Sequence, residues 1–225
     1  MKSIKNNKEN KMKRYLLMLP LLIGGIMANE NIQVKITEKI PYVIINDSGV
    51  KVKISRIQDT HNRLTDDFTK TSRPCAPHCI QPLHPVEGVK TIGELELIDF
   101  IKNKVYPKKG ILVDARLKKV YQLETIPGAI NIPFTLTTVD SEKIKKALFK
   151  ALGAKEKSDG SFDFSNAKEL AVFCNGLWCG SSVRFIKNII AKGYPKEKIY
   201  YYRAGLQGWK LLGLTTVIHK AIEAK

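Results

Sequence analysis

Four cysteines stand in two close pairs, Cys75-Ala-Pro-His-Cys79 and Cys174-Asn-Gly-Leu-Trp-Cys179. The second pair has the setting for nucleophilic chemistry. Glu169-Leu-Ala-Val-Phe-Cys174 reads as a buried strand that delivers Cys174 at its carboxyl end, where α/β sheets place their chemistry. Gly176 and Gly180 keep the following loop supple, and a helix begins at about Ser181. A loop curling between a strand end and a helix start turns successive N–H groups toward one centre, and the helix dipole adds partial positive charge. A thiol there is expected to ionise easily. The cradle formed by Asn175, Gly176, Leu177, Trp178, Cys179, Gly180 and Ser181 suits an anion: a thiolate, a persulfide or the oxygens of a small oxyanion.

Cys179 admits three roles. It can resolve a persulfide on Cys174 by forming a disulfide and releasing sulfide, it can be an inert loop thiol, or it can head an alternative loop, Cys179-Gly-Ser-Ser-Val-Arg184. The last ranks second, because the strand ends at Cys174 and Arg184 would already lie inside the helix. The first pair favours a structural disulfide between Cys75 and Cys79, with a labile redox switch as the alternative. A zinc site from Cys75, His78, Cys79 and His84 is disfavoured, since ligands so close in sequence are hard to arrange tetrahedrally. Four cysteines allow three connectivities, and the sequence alone does not choose among them. No metal and no cofactor is called for. His61 and His219 read as surface residues, and Tyr200, Tyr201 and Tyr202 as strand packing.

The elements around the site follow from periodicity. Ile32 to Thr37, Pro41 to Asn46 and Val50 to Ser55 alternate or run apolar about Asn46-Asp-Ser-Gly49, which predicts a β-hairpin or three-stranded meander. Residues 57–90 are polar and contain Pro74, Pro77, Pro82 and Pro85, so they read as an irregular strap. Thr91-Ile-Gly-Glu94 looks like a capping box opening a helix through Ile92, Leu95, Ile98 and Ile101. Strands are expected at Ile111 to Asp114, Ile130 to Pro133, Glu169 to Cys174 and Lys198 to Tyr202. Helices are expected over 141–152, with Ile144, Ala147, Leu148, Ala151 and Leu152 inward, and over 181–192. Such alternation predicts an α/β fold with a parallel sheet flanked by helices.

The 225 residues carry 38 Lys and Arg against 21 Asp and Glu, a net charge of +17. With 44% hydrophobic residues the balance is that of a globular chain, which excludes collagen, coiled coil and disorder. Part of the charge belongs to residues 1–28, where a Lys-rich start runs into Tyr15 to Ala28, an apolar stretch too short to span a bilayer comfortably. This reads as a signal peptide cleaved near Ala28 and predicts a periplasmic location. Removing its six basic residues and one acid leaves +12, on lysines scattered without an aromatic-studded basic block, so nucleic acid is not expected as a partner.

The chain resembles the rhodanese-like sulfurtransferases. The matching pieces come in that family's order: Leu112-Val-Asp-Ala-Arg116, Tyr121 with Ile126-Pro-Gly-Ala-Ile-Asn-Ile-Pro133, Val172-Phe-Cys174 with its loop and helix, Gly193-Tyr194, and Tyr202-Arg-Ala-Gly-Leu-Gln-Gly-Trp209. They span roughly residues 90–214. The implied organisation is a signal peptide over 1–28, a β extension with a Pro- and Cys-containing strap over 29–90, a rhodanese-like domain over 91–214 and a tail over 215–225. The resemblance implies that Cys174 is the nucleophile and carries sulfur from thiosulfate or polysulfide, as a persulfide, to a thiol or cyanide acceptor. It implies that Asp114 and Arg116 end a strand beside the site, with Arg116 among the substrate-binding residues, and that Trp209 packs the last helix. The loop is longer than the family's usual one, and Trp178-Cys179 replaces a compact Gly, Arg or Ser segment. A thiol-disulfide protein using Cys174 and Cys179 and a noncatalytic binding module are the competing readings. A membrane-associated sulfur or respiratory enzyme and a second copy of the chain are the macromolecular partners these readings admit.

Overall fold

The N-terminal alternation folds into an antiparallel hairpin, β1 (Tyr42–Asp47) and β2 (Val50–Ser55), in the computed structural model, which describes residues 32–219. The leader expected over residues 1–28 lies outside the described residues. Ser48 and Gly49 both adopt positive φ, 52° and 93°, and the Asn46 side chain accepts the Gly49 N–H, so the two strands join through a tight turn with the handedness hairpins favour. The third strand of a meander does not form. The Gln58 side chain instead bonds the backbone of Gln33 and Val34, which holds that stretch without a ladder, and Ile36 packs on the core.

The central sheet has five parallel strands: β3 (Lys90–Ile92), β4 (Gly110–Asp114), β5 (Ala129–Asn131), β8 (Glu169–Phe173) and β9 (Ile199–Tyr202), in the order β3-β9-β8-β4-β5. A short antiparallel ribbon, β6 (Lys155–Glu156) with β7 (Phe162–Asp163), lies between β5 and β8 in the chain. Helices α1 (Glu94–Phe100), α2 (Lys118–Leu123), α3 (Phe134–Thr138), α4 (Glu142–Ala151) and α5 (Ser181–Ala191) lie between the strands, and α6 (Gly205–Leu211) follows the last of them. The middle strands are buried on both faces, as crossover helices require. Leu112, Ala171 and Phe173 face a cluster with the hairpin residues Val43, Ile45 and Ile54 and with Trp209. Val113, Leu170 and Val172 face the opposite cluster with Phe149, Phe185 and Ile186.

Two helices differ from the periodic reading. Thr91 pairs with Tyr201 in the sheet, so the helix start moves to Gly93, whose N–H donates to the Glu96 side chain, and the helix runs on through a wider π turn over Ile101–Val105. In α4 the buried residue is Phe149, while Ala147 and Ala151 are exposed. An aromatic cluster of Phe149, Phe162, Phe164 and Tyr194 sets that helix's rotation, a tertiary contact that periodicity does not contain.

The strap over 57–90 crosses the carboxyl end of the sheet with no regular structure beyond a single 3-10 turn at Asp67–Thr69, until its last residue enters β3. Several bonds hold it, three sets of them near the strand ends. Gln81 N donates to Leu177 O at 2.8 Å, Arg203 donates to the carbonyls of Gln81 and Pro82, and the Gln207 side chain donates to Phe68 O at 2.8 Å. Within the strap Cys75 and Cys79 are joined by a disulfide. Beyond α6 the chain returns along the hairpin, where Arg56 bridges Leu214, and Val217 bridges Thr125. This brings His219 against Tyr121, ring stacked on ring at 5.0 Å, and within 3.5 Å of Asp47. His219 is therefore half-buried rather than a free surface residue.

Candidate functional site

β8 ends at Phe173, and its next residue, Cys174, starts a loop that leads into α5 through Gly180. Two backbone amides at the start of α6 close over the loop's first residues. Leu206 N donates to Cys174 O at 2.9 Å, and Gln207 N donates to Asn175 O at 2.8 Å. That approach depends on Gly205, at φ +60°, where an added Cβ would lie 2.5 Å from Cys174 O and 2.7 Å from Gly176 N. Trp178 is fixed by its indole N–H, which donates to the Gln207 side chain at 3.0 Å, and Cys179 N closes a turn onto Gly176 O.

The two loop cysteines are both free thiols, and they are not equivalent. Cys174, expected at the mouth of the cradle, is instead 1% exposed. Its Sγ lies 3.1 Å from Cys179 O and 3.1 Å from the Ser182 hydroxyl. Burial pushes its pKa well up, and the neighbouring Cys179 adds to the shift, so the expectation of an easily ionised Cys174 is corrected. The reason is local. The loop brings Cys179 back over the strand end, so Cys174 is covered while Cys179 faces the Asn175 side-chain amide and the start of α5.

Cys179 is 6% exposed and sits one residue before the N-cap of α5. Its pKa is lowered to about 6. The Cys174 S–H contributes most, burial opposes it, and the backbone N–H groups of Ser181 and Asn175 and the Ser181 hydroxyl add to the lowering. The single Cys174 proton has three acceptors in reach, and when Cys179 ionises the charged sulfur is the strongest of them. The Asn175 side-chain amide lies 3.9 Å from the Cys179 sulfur. The helix dipole favours a negative charge at this position too.

The remaining sequence-predicted residues divide. Arg116 reaches the site but is already engaged: it is 3% exposed, makes a bidentate pair with Asp114, and donates to Asn175 Oδ1 at 3.3 Å and Glu124 O at 2.6 Å. Asp114 is held further by the Thr125 hydroxyl at 2.8 Å. Arg116 therefore positions Asn175. Arg184 is exposed on α5 and stands over Phe134, 5.7 Å from its ring centre, so it does not close a loop headed by Cys179. Gly176 and Gly180 line the turn, and Leu177 is exposed. Among the described residues no group of three or more His, Cys, Asp or Glu is arranged to hold a metal ion; His78 packs edge-on against Trp178 and His84 meets Thr91.

Periodicity and motif reading do not find the strap's share of the site. Phe68, Arg73 and His78 join Asn175, Trp178, Leu206 and Arg116 around a cavity of about 470 Å³. The Arg73 guanidinium lies 4.3 Å from the centre of the Trp178 ring. The one hint in the sequence is that His78 lies between two paired cysteines; nothing near Phe68 or Gln207 signals a neighbour so distant along the chain.

A family model for the rhodanese-like domain matches residues 96–212. The chain is similar to a solved rhodanese with anions from E. coli, at 22% identity over 48% of this chain and 98% of that one, with a TM-score of 0.31. It is also similar to a rhodanese-related protein from Thermoplasma volcanium, at 20% identity over 57% and 98% of the two chains, TM-score 0.38. A protein of Bacillus halodurans shares 18% identity over 60% and 82%, TM-score 0.43. Among curated proteins none matches the chain.

Proposed function

The chain belongs to the rhodanese-like domain family, and from that membership we propose that it transfers sulfane sulfur through a persulfide on Cys179, with Cys174 beneath it as hydrogen-bond donor. One observation carries the assignment: Cys179 stands just ahead of the N-cap of α5, with the Asn175 side-chain amide 3.9 Å from its sulfur and the Cys174 thiol donating to its carbonyl oxygen at 3.1 Å. In the first half-reaction the Cys179 thiolate attacks the outer sulfur of a donor such as thiosulfate. A new S–S bond forms, the donor's S–S bond breaks, and sulfite leaves with the electron pair. The amides that stabilise the thiolate then stabilise the persulfide anion. In the second half-reaction a thiol or cyanide attacks the terminal sulfur, and the Cys179 thiolate is released.

Two free thiols five residues apart, the first bonded to the carbonyl of the second, favour a second reading on the same loop. Cys174 can attack the inner sulfur of the Cys179 persulfide, forming a Cys174–Cys179 disulfide and releasing hydrogen sulfide, with an external dithiol closing the cycle. An exported setting belongs to this proposal. The composition of residues 1–28 supports it, and so does the Cys75–Cys79 disulfide, a bond that persists in oxidising compartments.

Intact mass spectrometry after incubation with thiosulfate or polysulfide, together with transfer to cyanide, tests both readings. Cys179→Ser should lose the added sulfur, and its transfer should fall to background. Cys174→Ser should keep the added sulfur and lose only sulfide release under the dithiol reading. A Cys179→Ser protein that still takes up sulfur, beside a Cys174→Ser protein that does not, returns the nucleophile to the strand-end cysteine.

A further inference from the structure

The cavity beside Asn175 and Trp178 has one wall from the matched domain and one from the strap, which precedes residue 96 where the family match begins. At about 470 Å³ it has the size of a site for an organic molecule rather than for a four- or five-atom oxyanion. Its carbon surfaces come from Phe68, Val120, Leu123, Trp178 and Leu206.

The charges around it do not all cancel in the same way. Asp66 and Glu124 both clamp Lys210, and Arg116 is neutralised by Asp114, so these groups are internally paired. Asp67 is a mostly exposed residue ion-paired to Lys70. Arg73 differs from them. One terminal nitrogen donates to the Asp67 backbone carbonyl at 2.6 Å, its face lies over Trp178, and its Nε is buried with no hydrogen-bond partner. Arg73 lines the cavity with no carboxylate paired to it among the described residues, and a carboxylate is the acceptor whose geometry matches a guanidinium fork.

We propose that this cavity binds a carboxylate-bearing organic sulfur compound, with Arg73 taking the carboxylate and Phe68 and Trp178 packing the carbon chain. Its sulfur would then lie toward Asn175, whose side-chain amide neighbours the Cys179 sulfur. The inference deepens the sulfur-transfer reading and rests on it for its biological sense, while the binding itself does not depend on transfer. The strap thereby acts as the part of the chain that selects the organic partner, whether that partner delivers or accepts sulfur.

Calorimetric titration of the full chain with S-methylglutathione, which cannot react, and with its diethyl ester tests the proposal. The acid should bind saturably, and esterification or Arg73→Gln should each weaken binding about tenfold, the loss of one charge-assisted contact. In Arg73→Gln the acid and the ester should bind alike, and Arg73→Lys should recover part of the difference. Absence of saturable binding, or equal binding of acid and ester to the unaltered protein, overturns the proposal. Thiosulfate-dependent sulfur uptake by the same preparations separates the two claims: uptake without ester-sensitive binding defeats the cavity assignment alone, and ester-sensitive binding without uptake from any donor defeats the sulfur-transfer reading alone.

Discussion

On the proposed reading, the contact between two thiols decides which of them is nucleophilic. Cys174 lies under the loop against Cys179 O and the Ser182 hydroxyl, and burial outweighs the hydrogen bonds from Ser182 that would stabilise charge on its sulfur. Cys179 collects amides and the Cys174 S–H, and its value of about 6 makes it mostly thiolate at neutral pH. The sign is that of an acid held below its ordinary value of about 8.5, so reactivity should appear as pH rises through about 6 and be complete by neutrality. Site-resolved alkylation of Cys179 with iodoacetamide across pH 5 to 9 measures this. Replacing Cys174 by Ala removes the largest favourable contribution, and the midpoint should then rise; an unchanged midpoint would locate the effect in the amides alone. That a cysteine ends the strand was legible in an apolar run of five residues, Glu169–Phe173 with one polar start, leading straight into Cys174. Its burial was not, because the covering groups are Leu206, Gln207 and Cys179, and no local pattern around Cys174 reports what the start of α6 will do.

At the scale of elements, the site depends on how closely α6 begins against the β8–α5 loop. Gly205 is the point of nearest approach, and its positive φ and the 2.5 Å contact that a Cβ would make with Cys174 O act in the same direction. Both obstacles are backbone, so no side chain can move aside to relieve them. Gly205→Ala should lower stability by about 2 kcal/mol and reduce sulfur transfer more than that loss explains at temperatures where the variant is fully folded. Urea unfolding and transfer kinetics on the same sample check the two effects separately, and a variant with ordinary stability and activity would show that the loop has room to retreat. Most elements were legible from periodicity: the hairpin from its alternation and turn residues, the sheet strands from short apolar runs, α5 from its apolar stripe. Departures occur where another element intervenes. Thr91 was read as a cap because its sequence context is that of one, but pairing with Tyr201 draws it into the sheet and leaves Gly93 to begin the helix. Phe149 became the buried residue of α4 because three aromatic rings from elsewhere in the chain surround it.

For the whole molecule, the hairpin and the strap both lie outside the matched domain, and of the two it is the strap that lines the site. It was legible as an irregular, proline-containing connector and illegible as a wall of the site, since its bonds to Leu177, Arg203 and Gln207 join residues far apart in the chain. Such contacts form only after the sheet and α6 have placed their partners. The strap packs on the core through Phe68, Val86 and Val89, but its middle is bare: Ile80 is 83% exposed and Leu83 58% exposed. A segment held by a few polar ties over a finished core opens locally at far lower free energy than the core unfolds. Brief digestion with a nonspecific protease should therefore nick the chain first between residues 57 and 90, leaving a trimmed domain that keeps its helical circular dichroism. If the first cuts fall within the sheet-forming region instead, the strap is integral to the core. If the proposed sulfur transfer and cavity hold, a single clip in a cell would remove the selectivity while sparing the reactive sulfur, leaving an indiscriminate catalyst in place of a discriminating one.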